Sequence, residues 1–155
     1  MRGLRITALA LVLASGAVLA QSRIVCTPTA PGEPIAAIWP EPYLSTDGQL
    51  CFDVQSWPEY SGQNCVRDGG QIAWTGLVIV TVDGASMGRD STSFRVDSPT
   101  IGESVIEYRI DWSRGRPWAP MQHVKINRLS GVAVSYFQTQ HGGEPYQCRL
   151  AARAI

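Results

Sequence analysis

The 155-residue chain is poor in lysine and histidine, and its basic and acidic side chains balance. It has one lysine, Lys125, and two histidines, and 13 basic groups (lysine and arginine) face 13 acidic ones. A nucleic-acid binder would need a basic excess, and a disordered chain would need a high net charge with few aromatics. The sequence meets neither condition, so we expect a small globular protein that does not bind nucleic acid.

No apolar run is long enough to cross a bilayer as a helix. The run over residues 6–14 is well short of the roughly 20 residues required. It follows two arginines and precedes the small-residue pattern Val18-Leu19-Ala20, which is typical of a secretory signal cleaved before Gln21. We therefore predict a signal peptide over residues 1–20 and a single β-rich domain over 21–155. The mature chain, with 11 basic and 13 acidic groups, would be periplasmic or secreted and free of the membrane.

Cysteine is scarce, but its even number is informative in an exported chain. No two of the four cysteines lie two to four residues apart, so the zinc-site pattern is absent. Two disulfides are the expected outcome in an oxidising compartment. Three pairings are possible, and we favour Cys51–Cys65 with Cys26–Cys148. The first closes a short loop rich in turn-forming residues, and the second ties the start of the mature chain to its last strand. We predict no metal and no cofactor.

A helical period of apolar residues is missing, and alternation between apolar and polar residues replaces it. Apolar residues fall at every second position from Ile106 to Trp112, which is the period of a half-buried strand. The same pattern predicts a hairpin over residues 122–140, in which Val132, Val134 and Tyr136 continue the alternation. The run Ile72–Val82 is apolar at odd and even positions alike, which predicts a central strand. Shorter candidate strands are Leu50–Val54, Ser93–Val96 and Tyr146–Ala151.

Glycine- and proline-containing turns separate these runs into about seven short strands. The sequence therefore predicts an all-β fold, a small antiparallel sandwich or barrel stapled by two disulfides. No internal repeat or second domain is visible in the sequence.

Groups suited to catalysis are few and poorly spaced. Glu103, Glu107 and Asp111 share one face of an extended strand, but Glu107 and Asp111 would lie about 13 Å apart. Glycosidase carboxylates lie about 5–9.5 Å apart, so we interpret these groups as a solvated ladder neutralised by Arg109. His123 and the second histidine, in the turn at position 141, are both expected at the surface. A Gly-x-Ser-x-Gly motif is absent, so we predict no catalytic residue.

The strongest candidate for binding is the segment from Asp111 to Pro120. In it, Trp112 and Trp118 flank Arg114 and Arg116 in a loop between two predicted strands. Tryptophan and arginine are enriched at binding hot spots, because they offer a large contact area and a rigid fork of donors. The alternative is that both tryptophans complete the core and that the arginines only solvate a turn.

A second candidate lies within the loop that the Cys51–Cys65 disulfide would close. Trp57 and Tyr60 occur there, and a stapled loop presents aromatic side chains with little loss of conformational entropy on binding. The alternative is that both rings fold back over the core.

The C-terminal region resembles the closing hairpin of many small exported bacterial proteins. The resemblance rests on Ile126-Asn127-Arg128-Leu129-Ser130-Gly131 and, after a strand and a Gly-Gly turn, on Tyr146-Gln147-Cys148. It implies a compact exported β-rich domain with a disulfide near its end. In size and style the chain is also similar to periplasmic lysozyme-inhibitor domains, but that likeness assigns no residue.

From these features we expect a periplasmic or secreted binding module for a protein or an envelope polymer, not an enzyme. The alternatives are a structural or accessory envelope protein without a ligand, and a carboxylate-based hydrolase.

Overall fold

The chain folds into one antiparallel sheet that curls until its two ends approach each other. The computed structural model describes residues 22–32, 38–54, 64–82, 85–115, 117–137 and 142–152, and for residues 76–82, 85–91 and 152 it describes the backbone alone. None of these residues is helical, and the described part contains no helix with the length and apolar character needed to cross a membrane. The predicted signal peptide, residues 1–20, lies outside the described residues.

Eleven strands form the sheet. In chain order they are β1 (Ser22–Pro28), β2 (Pro42–Leu44), β3 (Leu50–Phe52), β4 (Cys65–Val66), β5 (Gln71–Val82), β6 (Ala85–Asp97), β7 (Thr100–Ile101), β8 (Val105–Ser113), β9 (Ala119–Asn127), β10 (Val132–Phe137) and β11 (Glu144–Ala152). Their spatial order is β4-β3-β2-β1-β11-β10-β9-β8-β6-β5, and β7 pairs with β8 off this path. Every pairing is antiparallel.

Aromatic contacts join strands from the two ends of this order. The Phe52 ring, on β3, stacks on Trp74 of β5 at 5.9 Å between centroids. The same ring meets Tyr108 of β8 edge-on at 5.2 Å. Because β3 and β5 lie near opposite ends of the strand order, the inner face of the sheet encloses a single core. The predicted all-β fold is confirmed in its barrel form.

Alternation along β8 places its apolar residues inside, as predicted. Ile106, Tyr108 and Ile110 are fully buried, and Val124 and Ile126 of β9 join them. The Tyr108 hydroxyl has no hydrogen-bond partner among the described residues, and burial raises the pKa of this phenol far above its ordinary value. The centre of the barrel is therefore packed with side chains.

Both predicted disulfides are present and leave no free cysteine. Cys26 and Cys148 occupy directly paired positions of β1 and β11, and Cys51 and Cys65 do the same on β3 and β4. Disulfides persist in non-reducing compartments, so the pairing indicates that the protein folds in one.

The prediction that Ile72–Val82 forms a central strand is wrong. β5 lies at the end of the strand order, and β6 is the only described strand that pairs with it along its length. Its first half is apolar because Ile72 and Trp74 are buried in the core. Of β6, only Ser93–Val96 pair with β8, and the residues of β6 that precede Ser93 pair with the second half of β5 alone. The local composition indicated correctly that the first half of β5 is buried. It carries no information about the order of the strands in the sheet.

The predicted hairpin over residues 122–140 is present as β9 and β10 up to Phe137, and residues 138–140 lie outside the described residues. The alternating residues Val132, Val134 and Tyr136, however, lie on the outward face of β10. Val132 and Tyr136 are exposed, whereas Ala133 and Ser135 between them are buried. The inward position is polar because Gln122 Nε2 donates a hydrogen bond to Ser135 Oγ at 3.1 Å. This inversion leaves an aromatic ring on the outer surface of the barrel.

Candidate binding face

The loop that the sequence favoured for binding is divided between the two faces of the sheet. Trp112 lies one residue before the end of β8, on the inner side, where it is partly buried against the core. Trp118 lies on the outer side, where 37% of its surface is exposed. The two tryptophans therefore do not form one patch. Arg116 lies outside the described residues, as do Trp57, Tyr60 and His141.

Trp112 and Arg114 help to close one end of the barrel. The Arg114 guanidinium lies 5.1 Å from the centroid of the Trp112 ring, and Arg114 Nε donates to the buried Thr92 Oγ1 at 3.3 Å. Trp39 reaches the same end, where its ring meets Phe94 edge-on at 6.0 Å. The alternative reading, in which the first tryptophan completes the core, describes Trp112 correctly.

Trp118 is held on the outer face by a cation. The Arg95 guanidinium lies 4.7 Å from the centroid of the Trp118 ring, within the range of a cation–π contact. Arg95 Nε also donates to Asp111 Oδ2 at 3.2 Å. The Trp118 ring and the Asp111 carboxylate thus both hold the Arg95 guanidinium, and this guanidinium in turn supports the exposed ring.

Asp111 is the charge at the centre of this arrangement, and the prediction that it belongs to a solvated ladder is wrong. Only 5% of its side chain is exposed, although it lies on the outer face. A register shift follows Ile110, and Arg109 and Arg95 cover the carboxylate from two sides. Burying a carboxylate is unfavourable unless cations and hydrogen bonds compensate, and these arginines supply both. Glu103 lies outside β8, in the turn that precedes it.

A second cluster follows on the same outer face, one strand further along. Glu107 accepts contacts from His123 Nε2 at 2.9 Å and from Lys125 Nζ at 3.2 Å. Partial burial tends to raise the pKa of Glu107, but the hydrogen bonds from His123 and Lys125 outweigh it, so the pKa lies below its ordinary value. The His123 ring stacks on Tyr136 of β10, with centroids 5.7 Å apart.

A groove of about 540 Å³ lies over this second cluster. Glu107, Arg109, His123, Lys125 and Tyr136 line it, together with residues from the start of β9. A Cβ atom added at Gly143 would come within 2.6 Å of Tyr136 Cε1, so the backbone there packs against the ring. Tyr136 is therefore fixed between Gly143 and His123.

We call the whole outer strip the binding face. It is defined by Trp118, Arg95, Asp111, Arg109, Glu107, His123, Lys125 and Tyr136. It presents two exposed aromatic rings, one at the Trp118 end and one at the Tyr136 end, with paired charges between them. Such a surface can stack against a planar or apolar group and form hydrogen bonds beside it.

Of the residues on this strip, the sequence indicated Trp118 as a candidate for binding but not Arg95 or Tyr136. Arg95 lies 23 positions before Trp118, and their contact depends on the pairing of β6 with β8. Tyr136 was assigned to the apolar side of its strand. The signal that could have identified its orientation was the small, polar composition of the intervening residues Ala133 and Ser135.

Comparison with known proteins leaves the binding face to be interpreted from its own chemistry. No family model, curated protein or solved structure matches the chain. The resemblance to small exported bacterial proteins stays a prediction.

Proposed function

We propose that the protein is an exported binding module, periplasmic or secreted, that holds a protein or an envelope polymer against the binding face. The observation that carries the proposal is the pair of exposed rings, Trp118 and Tyr136, each fixed by a neighbouring side chain on one sheet surface. Exposed aromatic residues with neighbouring arginines are typical of contact hot spots.

Rigidity of the face supports this proposal. Arg95 holds Trp118, and His123 together with Gly143 holds Tyr136. Side chains that are already ordered lose little conformational entropy when a partner binds, so more of the contact energy appears as affinity. A surface whose only role is to keep the protein in solution would not require its aromatic rings to be held in one orientation by neighbouring side chains.

Two charge clusters lie between the rings and favour a partner with polar groups. Arg109 and Lys125 are each more than half exposed, although each contacts a carboxylate. They keep further N–H donors for a ligand, because an arginine carries five and a lysine three. Exposed charges of both signs select partners by complementarity more than they add affinity.

Export is supported by the two disulfides together with the secretory features of residues 1–20. Two disulfides in a chain of this size are typical of proteins that fold outside the cytosol. The binding partner should therefore occur in the same non-reducing compartment.

Affinity capture from cell-envelope extract tests the proposal. The oxidised protein is immobilised, and wild type is compared with Trp118→Ala, Tyr136→Ala and the control Arg67→Ala. Arg67 is exposed, and it lies in the turn between β4 and β5, off the binding face. We expect both face variants to recover less material than wild type and the control to recover as much. Equal recovery by all four proteins would contradict the proposal.

The chemical class of the partner is read from the same capture. Extract digested with a protease should lose the captured material if the partner is a protein. Extract digested with a muramidase should lose it if the partner is an envelope polymer.

A further inference from the structure

The end of the barrel opposite Trp39 and Trp112 is open and apolar. Its pocket has a volume of about 310 Å³ and its floor is made of Ile24, Ile106 and Ile126, which are buried. These residues come from β1, β8 and β9, so the pocket is the mouth of the barrel interior. Mouths of β-barrels are among the usual places for small-molecule sites, which begin at about 300 Å³.

Two leucines form an exposed rim around this mouth. Leu129 lies in the β9–β10 turn, and Leu150, near the end of β11, is 55% exposed. A soluble surface normally leaves large apolar side chains exposed singly, whereas these two line the same pocket as the isoleucine floor. The apolar surface of the interior thus continues out to the rim.

The turn that carries Leu129 is held in one conformation by its own hydrogen bonds. Asn127 Oδ1 accepts from the backbone N–H groups of Leu129 and Ser130, at 3.0 Å each. Gly131 has φ +73°, and its carbonyl accepts from Cys148 N–H at 2.7 Å. A Cβ at position 131 would overlap the Cys148 carbonyl oxygen, so glycine is required there. The leucine is therefore presented by a rigid support and not by a loose loop.

The charged side chains among the described residues at the mouth are all positive. Arg128 and Arg149 line the pocket, and none of the described residues that line it is acidic or aromatic. One donor of Arg128 is used by the Gly102 carbonyl at 2.6 Å, which anchors the guanidinium. The described residues form no ion pair with either arginine. Arg128 and Arg149 thus place two positive charges at the mouth, and arginine binds carboxylates well.

We propose that the mouth of the barrel binds an aliphatic chain that ends in a carboxylate, as in a fatty acid of moderate length. The chain would lie on the isoleucine floor between the two leucines, and the carboxylate would meet Arg128 and Arg149. An aliphatic chain fits a lining without aromatic rings, and the modest volume fits one chain better than two. This site is separate from the binding face and does not depend on the function proposed for it.

Titration calorimetry with decanoate as the probe tests this inference. The purified protein with both disulfides intact should bind decanoate saturably, and should bind decanol, which lacks the charge, more weakly. Arg128→Gln and Arg149→Gln should each weaken decanoate binding about fivefold, as expected for the loss of an exposed charge contact worth about 1 kcal/mol. Leu150→Asp should abolish binding, because it places a carboxylate at the rim.

A matched control is Arg67→Gln, which removes an exposed arginine from the turn between β4 and β5 that does not line this pocket. It should leave decanoate affinity unchanged. Circular dichroism of each variant confirms that the fold is intact, which is expected because the substituted side chains lie at the surface.

Several outcomes would overturn the proposal. Absence of saturable decanoate binding would do so, as would equal affinity for decanoate and decanol. Binding to phosphatidylglycerol vesicles without binding of free decanoate would instead assign the mouth to a membrane surface. A dimer that dissociates in Leu129→Ala would assign it to a second copy of the chain.

Discussion

Asp111 Oδ1 accepts a hydrogen bond of 2.8 Å from Arg109 Nε, two residues earlier on the same strand, while Oδ2 accepts from Arg95 Nε on the neighbouring strand. One buried carboxylate therefore joins β6 to β8 on the outside of the barrel. Because Arg95 also supports the Trp118 ring, the stability of this ion cluster and the shape of the binding face are linked.

Asp111→Asn should destabilise the protein. The substitution removes the negative charge that Arg95 and Arg109 surround, so both guanidinium groups lose their counter-ion. Removing one partner of a fully buried pair costs about 3–5 kcal/mol, and we expect about 2 kcal/mol here because more than half of the Arg109 side chain is exposed. Urea denaturation measures the free energy of unfolding. Glu103→Gln is the control, since Glu103 is exposed and should change stability little. Equal stability of Asp111→Asn and wild type would show that the cluster is not structural.

The lowered pKa of Glu107 predicts that the free energy of unfolding depends on pH. Its pKa in the folded protein lies below the ordinary value of 4.5, because His123 and Lys125 donate to the ionised carboxylate. A group with a lowered pKa stabilises the fold fully above its ordinary pKa, and this contribution is lost as the pH falls through the folded pKa. We expect the effect to be a few tenths of a kcal/mol, about the value of a partly exposed pair.

The measurement is the free energy of unfolding of wild type and Glu107→Gln between pH 7 and pH 3. The two curves should differ above pH 5 and converge at lower pH. A constant difference over the whole range would mean that the ionised form of Glu107 is not the stabilising one.

Tyr108→Phe should leave the free energy of unfolding unchanged or raise it by up to about 1 kcal/mol. The hydroxyl is buried without a hydrogen-bond partner among the described residues, so its removal relieves a desolvation penalty. The ring contact with Phe52 is kept. Thermal and urea denaturation both report the change. A loss of more than 1 kcal/mol would show that the hydroxyl forms a bond that matters to the fold.

The two disulfides should contribute unequally to stability. Loop-closure entropy predicts about 3 kcal/mol for Cys51–Cys65 and about 5 kcal/mol for Cys26–Cys148, because the second closes a far longer loop. Paired Cys→Ser variants at each bridge, unfolded in urea without reductant, give the two values. The reverse order would mean that chain entropy is not the main contribution.

Alternation in the sequence predicted the strands that matter most for the core, and the cysteine positions favoured the correct disulfides. β8 is the clearest case, because each of its inward residues is large and apolar. Prediction failed where the information is non-local. The edge position of β5 depends on which strands pair, and no pattern within Ile72–Val82 encodes this.

The arrangement of side chains on the proposed binding face could be predicted only in part, for the same reason. Trp118 is a candidate from the sequence because it lies close to arginines, but Arg95, the arginine that supports its ring, belongs to another strand. Asp111 lies on the outer face, as its position in the alternation predicts, but Arg95, one of the two arginines that cover it, belongs to another strand, so its burial could not be predicted. The residue type alone indicated Trp118 as a candidate. Which side chains surround Trp118 depends on the strand register.

The central claim is that one face of the barrel, between Trp118 and Tyr136, makes the contact with the partner. The most direct measurement is the amount of envelope material captured by the double variant Trp118→Ala/Tyr136→Ala against that captured by Glu41→Ala/Arg67→Ala. Both double variants remove two exposed side chains, but only the first alters the binding face. We predict at least a tenfold loss for the first, equivalent to about 1.4 kcal/mol, and recovery equal to wild type for the second. Full recovery by the first double variant would contradict the account.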